Sequence, residues 1–200
     1  MWWRELQRQT AGAPGVRDVH PSADVAADAT LNASKGAITV GPRTKICAGA
    51  YIEGPVSIGS DCLIGNLAMI RGTTTIGDDT RIGFATEIKN ARIESGVTIG
   101  PQCFVADSKI ESHAYLGAQV RTSNHRLDKE TVKVLVDGEW IDTGLEKLGC
   151  LIGARSALGI QVIIMPGRQI APDSTFGPRT TVVKNLPAGR YRLAQQIESY

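Results

Sequence analysis

Aliphatic side chains recur at every sixth position through the first half of this chain. The series runs without a gap through Val40, Ile46, Ile52, Ile58, Ile64, Ile70, Ile76, Ile82 and Ile88. A period of six matches neither the 3.6-residue turn of an α-helix nor the alternation of a long strand, but it is the period of hexapeptide parallel β-helices. With three hexads per coil, residues 18 apart stack at the strand spacing of about 4.8 Å. The sequence therefore predicts an all-β solenoid.

The repeat slips by one residue after Ile88 and again before Ile110, and it is absent from residues 121–149. It resumes at Ile152 and continues to Val182. We therefore expect a loop extruded from the solenoid. Long excursions from a compact framework are often functional, although a merely tolerated insertion is the alternative.

Alternating valines within residues 131–136, followed by Asp137 and Gly138, predict a β-hairpin inside this loop. The predicted domain organisation is an N-terminal cap segment over residues 1–18, a β-helix domain over residues 19–185 and a C-terminal tail over residues 186–200. Trp2 and Trp3 open a short helix that we expect to cap the first coil or to pack on a neighbour.

The charge balance excludes several classes of partner. Twenty-two Lys and Arg residues against 20 Asp and Glu give a net charge of +2, which is too balanced for binding driven by nucleic acid or by an anionic membrane. The sequence has no apolar segment long enough to span a bilayer, and its charged beginning is unlike a signal peptide. We expect a cytoplasmic protein with a small-molecule ligand.

Motifs outside the hexads resemble one family in particular. They are residues 52–59 (IEGPVSIG), 70–72 (IRG), 87–93 (EIKNARI), 124–128 (NHRLD), 142–144 (DTG), 147–149 (KLG) and 164–167 (IMPG). Together they resemble the C-terminal acetyltransferase domain of bifunctional sugar-1-phosphate nucleotidyltransferase/glucosamine-1-phosphate acetyltransferases, without the nucleotidyltransferase domain. This resemblance implies a left-handed β-helix, a homotrimer, acetyl-CoA or another acyl-CoA as cosubstrate, and an amino-sugar phosphate or nucleotide sugar as acceptor.

The chain departs from that family at the catalytic base. The family carries a His-x-x-Tyr pair whose histidine serves as general base, and the corresponding residues here are Pro101 and Phe104. Two functions stay open: CoA-dependent acyl transfer with another base, and a non-catalytic trimeric binding or assembly module. Pro101 and Phe104 favour the module.

Arg71 and Lys89 are candidate substrate-binding residues. They follow inward-pointing aliphatics 18 positions apart, so we expect them to stack on consecutive coils, where two cations repel unless an anion lies between them. The family uses these two positions to hold its substrate. The alternative is that Glu53, one coil earlier, pairs with Arg71 while Lys89 points to water.

His125 is the candidate base, and Asn124 is the candidate amide that orients the acceptor or binds the oxyanion. An imidazole titrates near neutral pH, so little perturbation is needed to make it competent. His113 is the reserve base, and Tyr115 corresponds to a position that lines the family's acceptor pocket. For each of these residues, an exposed polar side chain at a solenoid corner is the alternative.

The remaining candidates concern the cofactor and a metal. Gly159 is a candidate backbone contact for CoA, and Arg179 and Lys184 are candidate ligands of its phosphates, although a basic rim is often only a solvated face. The three histidines, which include His20, are too dispersed for a zinc site, so we expect no metal.

Overall fold

The computed structural model describes residues 1–9 and 12–194, and it confirms the left-handed parallel β-helix. The first sheet contains β1 (Arg17–Val19), β4 (Ile38–Val40), β7 (Val56–Ile58), β10 (Thr74–Ile76), β13 (Arg92–Ile93), β16 (Lys109–Ile110), β21 (Leu151–Ile152) and β24 (Gln169–Ile170). The second contains β2 (Asp24–Val25), β5 (Lys45–Ile46), β8 (Leu63–Ile64), β11 (Arg81–Ile82), β14 (Thr98–Ile99), β17 (Tyr115–Leu116), β22 (Ala157–Leu158), β25 (Thr175–Phe176) and β27 (Arg190–Tyr191). The third contains β3 (Thr30–Asn32), β6 (Tyr51–Glu53), β9 (Met69–Arg71), β12 (Glu87–Lys89), β15 (Phe104–Ala106), β18 (Arg121–Thr122), β23 (Ile163–Ile164) and β26 (Thr181–Val182).

Each coil contributes one short strand to each sheet, so the core is a column of aliphatic side chains. Ile46, Ile64, Ile82, Ile99 and Leu116 stack in register in the second sheet, and each is at most 1% exposed. Burying one such side chain contributes about 1.5–3 kcal/mol. The hexad series of the sequence is therefore the inner surface of the solenoid.

The register slips in the sequence correspond to shorter corners between the third and first sheets. Ile58 pairs with Ile76, 18 positions on, whereas Ile76 pairs with Ile93 and Ile93 with Ile110, 17 positions on in each case. The corners that lose a residue are the ones that follow Lys89 and Ala106. The slip therefore tightens a corner without breaking the coil.

The predicted hairpin is present, with β19 (Lys133–Val136) paired antiparallel to β20 (Glu139–Asp142). Asp137 and Gly138 both have positive φ, as a tight two-residue turn requires. The neck of the loop is closed by an antiparallel bridge between His125 and Lys147.

The N-terminal helix α1 (Trp2–Gln7) does not cap the first coil, so the first of the two expected positions is wrong, and packing on a neighbour stays a prediction. Trp2 and Trp3 are buried instead against Val132, Val134 and Leu148 of the extruded loop, in a second apolar core outside the solenoid. The loop and its hairpin present an apolar surface outside the solenoid. The helix lies there because Trp2 and Trp3 are buried against that surface.

Polar contacts hold both α1 and the segment that follows it against the first sheet. Glu5 forms an ion pair with Lys109 of β16 at 2.9 Å. Gln9 donates to the carbonyl of Thr73 at 3.2 Å and accepts from Thr75 Oγ1 at 2.7 Å. Gln9 therefore lies against the first sheet beside β10.

At the other end, the C-terminal tail adds part of a further coil. Tyr191 of β27 stacks on Phe176 with ring centroids 5.0 Å apart, and Leu186 bridges to Ile170. Residues 195–200 of the tail lie outside the described residues.

The Glu5–Lys109 ion pair predicts a pH-dependent anchoring of α1. The hydrogen bond from Lys109 lowers the pKa of Glu5, so its stabilisation is present above the unfolded pKa and is lost as the pH falls through the lower folded value. Burial lowers the pKa of Lys109, but Glu5, Glu94 and Glu111 together raise it above its ordinary value. That contribution is therefore present below the unfolded pKa of lysine and is lost as the pH rises through the folded one.

Glu5→Gln should lower the free energy of unfolding by about 0.5–1 kcal/mol at neutral pH. The difference from wild type should shrink as the pH falls below the ordinary glutamate pKa of about 4.3. It should vanish below the lower folded pKa, because the side chain at position 5 is then uncharged in both proteins. Tryptophan fluorescence during urea unfolding measures both quantities. Glu139→Gln makes the same chemical change on the exposed hairpin and serves as control. Equal effects of the two variants would contradict the anchoring role.

Candidate active site

The corner that follows each strand of the third sheet carries most of the candidate residues. We call it the third-sheet edge and define it by Arg71, Lys89, Ala106, Ser123, Met165 and Val183, which occupy the same position on successive coils. Successive positions are about 4.8 Å apart. Side chains of different coils therefore lie at regular spacing along the third-sheet edge, where several of them can contact the same ligand.

Arg71 and Lys89 are paired in register on β9 and β12, as predicted. Arg71 also has a carboxylate partner, because its Nη2 and Nε lie 2.7 and 2.9 Å from Glu87 Oε1. Glu53 is instead paired with Lys35 at 2.8 Å, so the alternative pairing of Glu53 with Arg71 is wrong. Among the described residues, Lys89 has no ion-pair partner.

Three polar side chains form a hydrogen-bonded ladder directly beside this edge. Asn90 Nδ2 donates to Asp107 Oδ1 at 3.0 Å, and Asn124 Nδ2 donates to Asp107 Oδ2 at 2.6 Å. Asn90 Oδ1 accepts from the backbone N–H of Thr73 at 3.2 Å. We call Asn90, Asp107 and Asn124 the amide ladder. It fixes Asn124 at the neck of the loop, next to His125.

His125 borders an open cleft of about 620 Å³ at the loop mouth. Ser123, Met165 and Val183 of the third-sheet edge form one side of this loop-mouth cleft, and Val132 and Lys133 of the loop form another. His125 is exposed to solvent. An imidazole in such a place can exchange protons with a bound ligand and with water.

Asp128 and Arg168 carry charges at the loop-mouth cleft. An ion pair with Arg126 lowers the pKa of Asp128 to about 2, so this carboxyl is ionised at neutral pH. Arg168 lies 4.7 Å from the ring centroid of Trp140, and burial lowers its pKa without discharging it. The cleft is thus cationic on its Arg168 side.

His113 and Tyr115 do not lie with His125 in one subunit. His113 stands at the corner between the first and second sheets, and Tyr115 lies on the second sheet, 52% exposed. His125 lies at the corner between the third and first sheets, so the first sheet separates it from both residues. A site that combines them with His125 needs a second subunit.

The cofactor candidates lie near the C-terminal end of the solenoid. A Cβ on Gly159 would come within 2.8 Å of the backbone nitrogen of Pro178, so stacking of the coils already requires glycine there. Arg179 donates to Gln161 at 3.2 Å at the corner between the second and third sheets, and Lys184 is exposed beyond the other end of β26.

Three residues of the candidate site were not predicted from the sequence: Glu87, Asn90 and Asp107. A signal for the ladder existed, because residues 90, 107 and 124 are each 17 positions apart, like the strands that precede them. The spacing of 18 residues points to Glu53 as the partner of Arg71. Glu87 is instead paired in register with Met69, so the sequence carries no signal for the Arg71–Glu87 ion pair.

The described residues hold neither a metal-binding cluster nor a membrane-spanning helix. Residues 1–9 and 12–194 contain no group of three or more His, Cys, Asp or Glu side chains placed to hold a metal ion. In the same ranges, no helix is long and apolar enough to cross a membrane.

The comparisons with known proteins agree with this fold. Residues 37–72 and 55–90 match the family described as "Bacterial transferase hexapeptide (six repeats)". The chain is 55% identical over 203 residues to the Escherichia coli O6:K15:H31 protein named "Uncharacterized acetyltransferase YaiX", covering 98% of this chain and 88% of the relative. The protein therefore belongs to the hexapeptide-repeat acyltransferase family.

Two further likenesses extend the comparison. A bifunctional sugar-1-phosphate nucleotidylyltransferase/acetyltransferase of Sulfurisphaera tokodaii is 34% identical over 157 residues, covering 78% of this chain and 39% of the relative. This match confirms the resemblance seen in the motifs. The structure of a Francisella novicida UDP-N-acetylglucosamine acyltransferase has the same fold, with a TM-score of 0.63, 16% identity, and coverage of 86% of this chain and 63% of that one.

The stacked cations predict a phosphate site on the third-sheet edge. Arg71→Ala and Lys89→Ala should each weaken the binding of a phosphorylated amino sugar about 10- to 100-fold, because each removes a charge-assisted contact worth about 1.5–3 kcal/mol. Isothermal titration calorimetry measures the affinity. Arg81→Ala, which removes an exposed arginine of the second sheet, is the matched control. Unchanged affinity in both edge variants would refute the site.

Proposed function

We propose that the protein transfers an acyl group, most simply acetyl, from acyl-CoA to an amino group of a sugar phosphate or nucleotide sugar. The observation that carries this proposal is the in-register pair Arg71 and Lys89 on the same edge as the His125 cleft. Lys89 and Ser123 are two coils apart, which is about 10 Å. A ligand the size of one sugar ring, held by a phosphate at one end, therefore reaches the loop mouth.

His125 accepts the proton that the amine loses as it attacks the thioester carbonyl. The new carbon–nitrogen bond forms while the carbon–sulfur bond breaks, and CoA leaves as the thiol. Asn124 uses one amide hydrogen for Asp107, which leaves its second hydrogen to stabilise the oxyanion. In this reaction Arg71 and Lys89 hold the phosphate, with Glu87 fixing the guanidinium.

The donor lies along the coils next to Gly159, with its phosphates near Arg179 and Lys184. This assignment is supported by the half-buried backbone corner at Gly159 and by the exposed charges of Arg179 and Lys184 on either side of β26. Tyr115 and His113 belong to the same reaction centre only if a neighbouring subunit supplies them. The site is therefore proposed to lie between subunits of a homotrimer.

Exposed apolar side chains support the homotrimer. Leu67, Phe84 and Ile160 are 57%, 47% and 46% exposed along the corner between the second and third sheets. Apolar groups that recur on one edge of a solenoid mark an association surface. Light scattering at micromolar concentration should give three times the subunit mass of 21.3 kDa.

Phe84→Glu should shift this mass towards that of the subunit, because it places a charge in the apolar surface. Val16→Glu, at a 46% exposed residue beside the first coil, should leave the mass unchanged. A wild-type protein with the mass of one subunit would contradict the homotrimer and the shared site.

His125→Ala should lower kcat for thiol release about 10²- to 10⁴-fold with little change in acceptor affinity. His125→Asn should not restore the rate, because an amide cannot accept the proton. The rate is measured from free thiol on mixing acetyl-CoA with a phosphorylated amino sugar. His20→Ala is the control, since this imidazole is exposed in the first coil and bonded to Ser22.

Two outcomes would change the assignment. Wild-type rates in both His125→Ala and His113→Ala would show that the base is not a histidine. Binding of both ligands by the wild-type protein without thiol release would favour a non-catalytic binding module.

A further inference from the structure

Helix α1 covers a cavity of about 260 Å³ on the first-sheet side of the third-sheet edge. Thr73 and Asn90 line it, and they follow Arg71 and Lys89 by two residues and one residue respectively. A group attached to a phosphate on Arg71 and Lys89 would therefore meet this cavity first. We call it the helix-covered cavity.

One wall of this cavity is polar. Asn90 and Asp107 of the amide ladder supply an amide and a carboxylate, and each Asp107 oxygen keeps a lone pair after accepting its ladder bond. Lys147 and Gln7 also line the cavity, and their side chains make no hydrogen bond or ion pair with the rest of the described chain. This wall therefore offers both donors and acceptors.

The opposite wall is apolar. Trp3 and Leu6 come from α1, and Leu145 and Leu148 come from the extruded loop. The second core and the Glu5–Lys109 ion pair hold this wall in place. A pyranose ring has the same two-sided chemistry, with hydroxyl groups in its plane and C–H groups on its faces.

We infer that the helix-covered cavity is a subsite for a single hydroxyl-rich sugar ring, and that α1 acts as its wall. A volume of about 260 Å³ suits one ring and is below the range of about 300–1,000 Å³ typical of larger ligands. The inference rests on the proposed amino-sugar acceptor and adds the group that recognises its ring. The base of a nucleotide sugar has no room beside the ring and extends along the edge.

The test compares the affinities of glucosamine 1-phosphate and inorganic phosphate by calorimetry, with no turnover required. Wild type should bind the sugar phosphate at least about tenfold more tightly, because the cavity recognises the ring. Lys147→Ala and Gln7→Ala should lower this preference several-fold and leave the affinity for inorganic phosphate unchanged. Lys129→Ala, in the same loop but outside the cavity, should retain the preference.

A filling variant adds an independent test. Leu145→Trp should remove the preference for the sugar phosphate, since its larger side chain occupies the space of the ring. The inference is overturned if wild type shows no preference, or if Lys147→Ala, Gln7→Ala and Leu145→Trp all keep it. Ring-dependent binding without thiol release from acetyl-CoA would contradict the proposed transfer reaction and still support the subsite.

Discussion

The register between successive coils is the constraint on which the rest of the structure depends. Each coil buries one aliphatic residue per sheet beneath the next, so a residue 17 or 18 positions along the chain becomes a neighbour in space. Arg71 meets Lys89, and Asn90 meets Asp107, only because the isoleucines beside them are stacked. Buried aliphatic side chains therefore position the third-sheet edge, although they take no part in the chemistry proposed for it.

The fold could be predicted from the sequence because this register is written in single residues. The hexads from Val40 to Ile88 are visible without any structure, and so is the alternation that forms the hairpin. The location of α1 could not be predicted, because it depends on contacts between Trp2, Trp3 and an apolar patch of the loop more than 100 positions away. No periodicity encodes such a contact.

Some features of the candidate site could likewise be predicted from the sequence, and others could not. The stacking of Arg71 on Lys89 follows from their spacing, and the structure confirms it. The partner of Arg71 does not follow, because register places Glu53 beside Arg71 and Glu87 beside Met69, yet the ion pair forms with Glu87. Likewise, the resemblance places Pro101 and Phe104 where the family carries its base and its tyrosine, but it says nothing about which residue replaces the base.

The shortened corners explain why the loop, the amide ladder and the helix-covered cavity occur on one edge. Asn90 and Asp107 are the first residues of the two shortened corners, and both have positive φ, as Gly72 has at the same position of the preceding coil. Asparagine and aspartate tolerate this conformation better than most residues, and their short side chains can then bond to the next coil. The same corner on the following coil is where the chain leaves the solenoid at Asn124. A rigid ladder thus ends at the base of the one large loop, and the loop in turn supplies the surface that binds α1. The scaffold sets the distances along the edge, whereas the loop and helix form the walls of the subsite that we propose beside it.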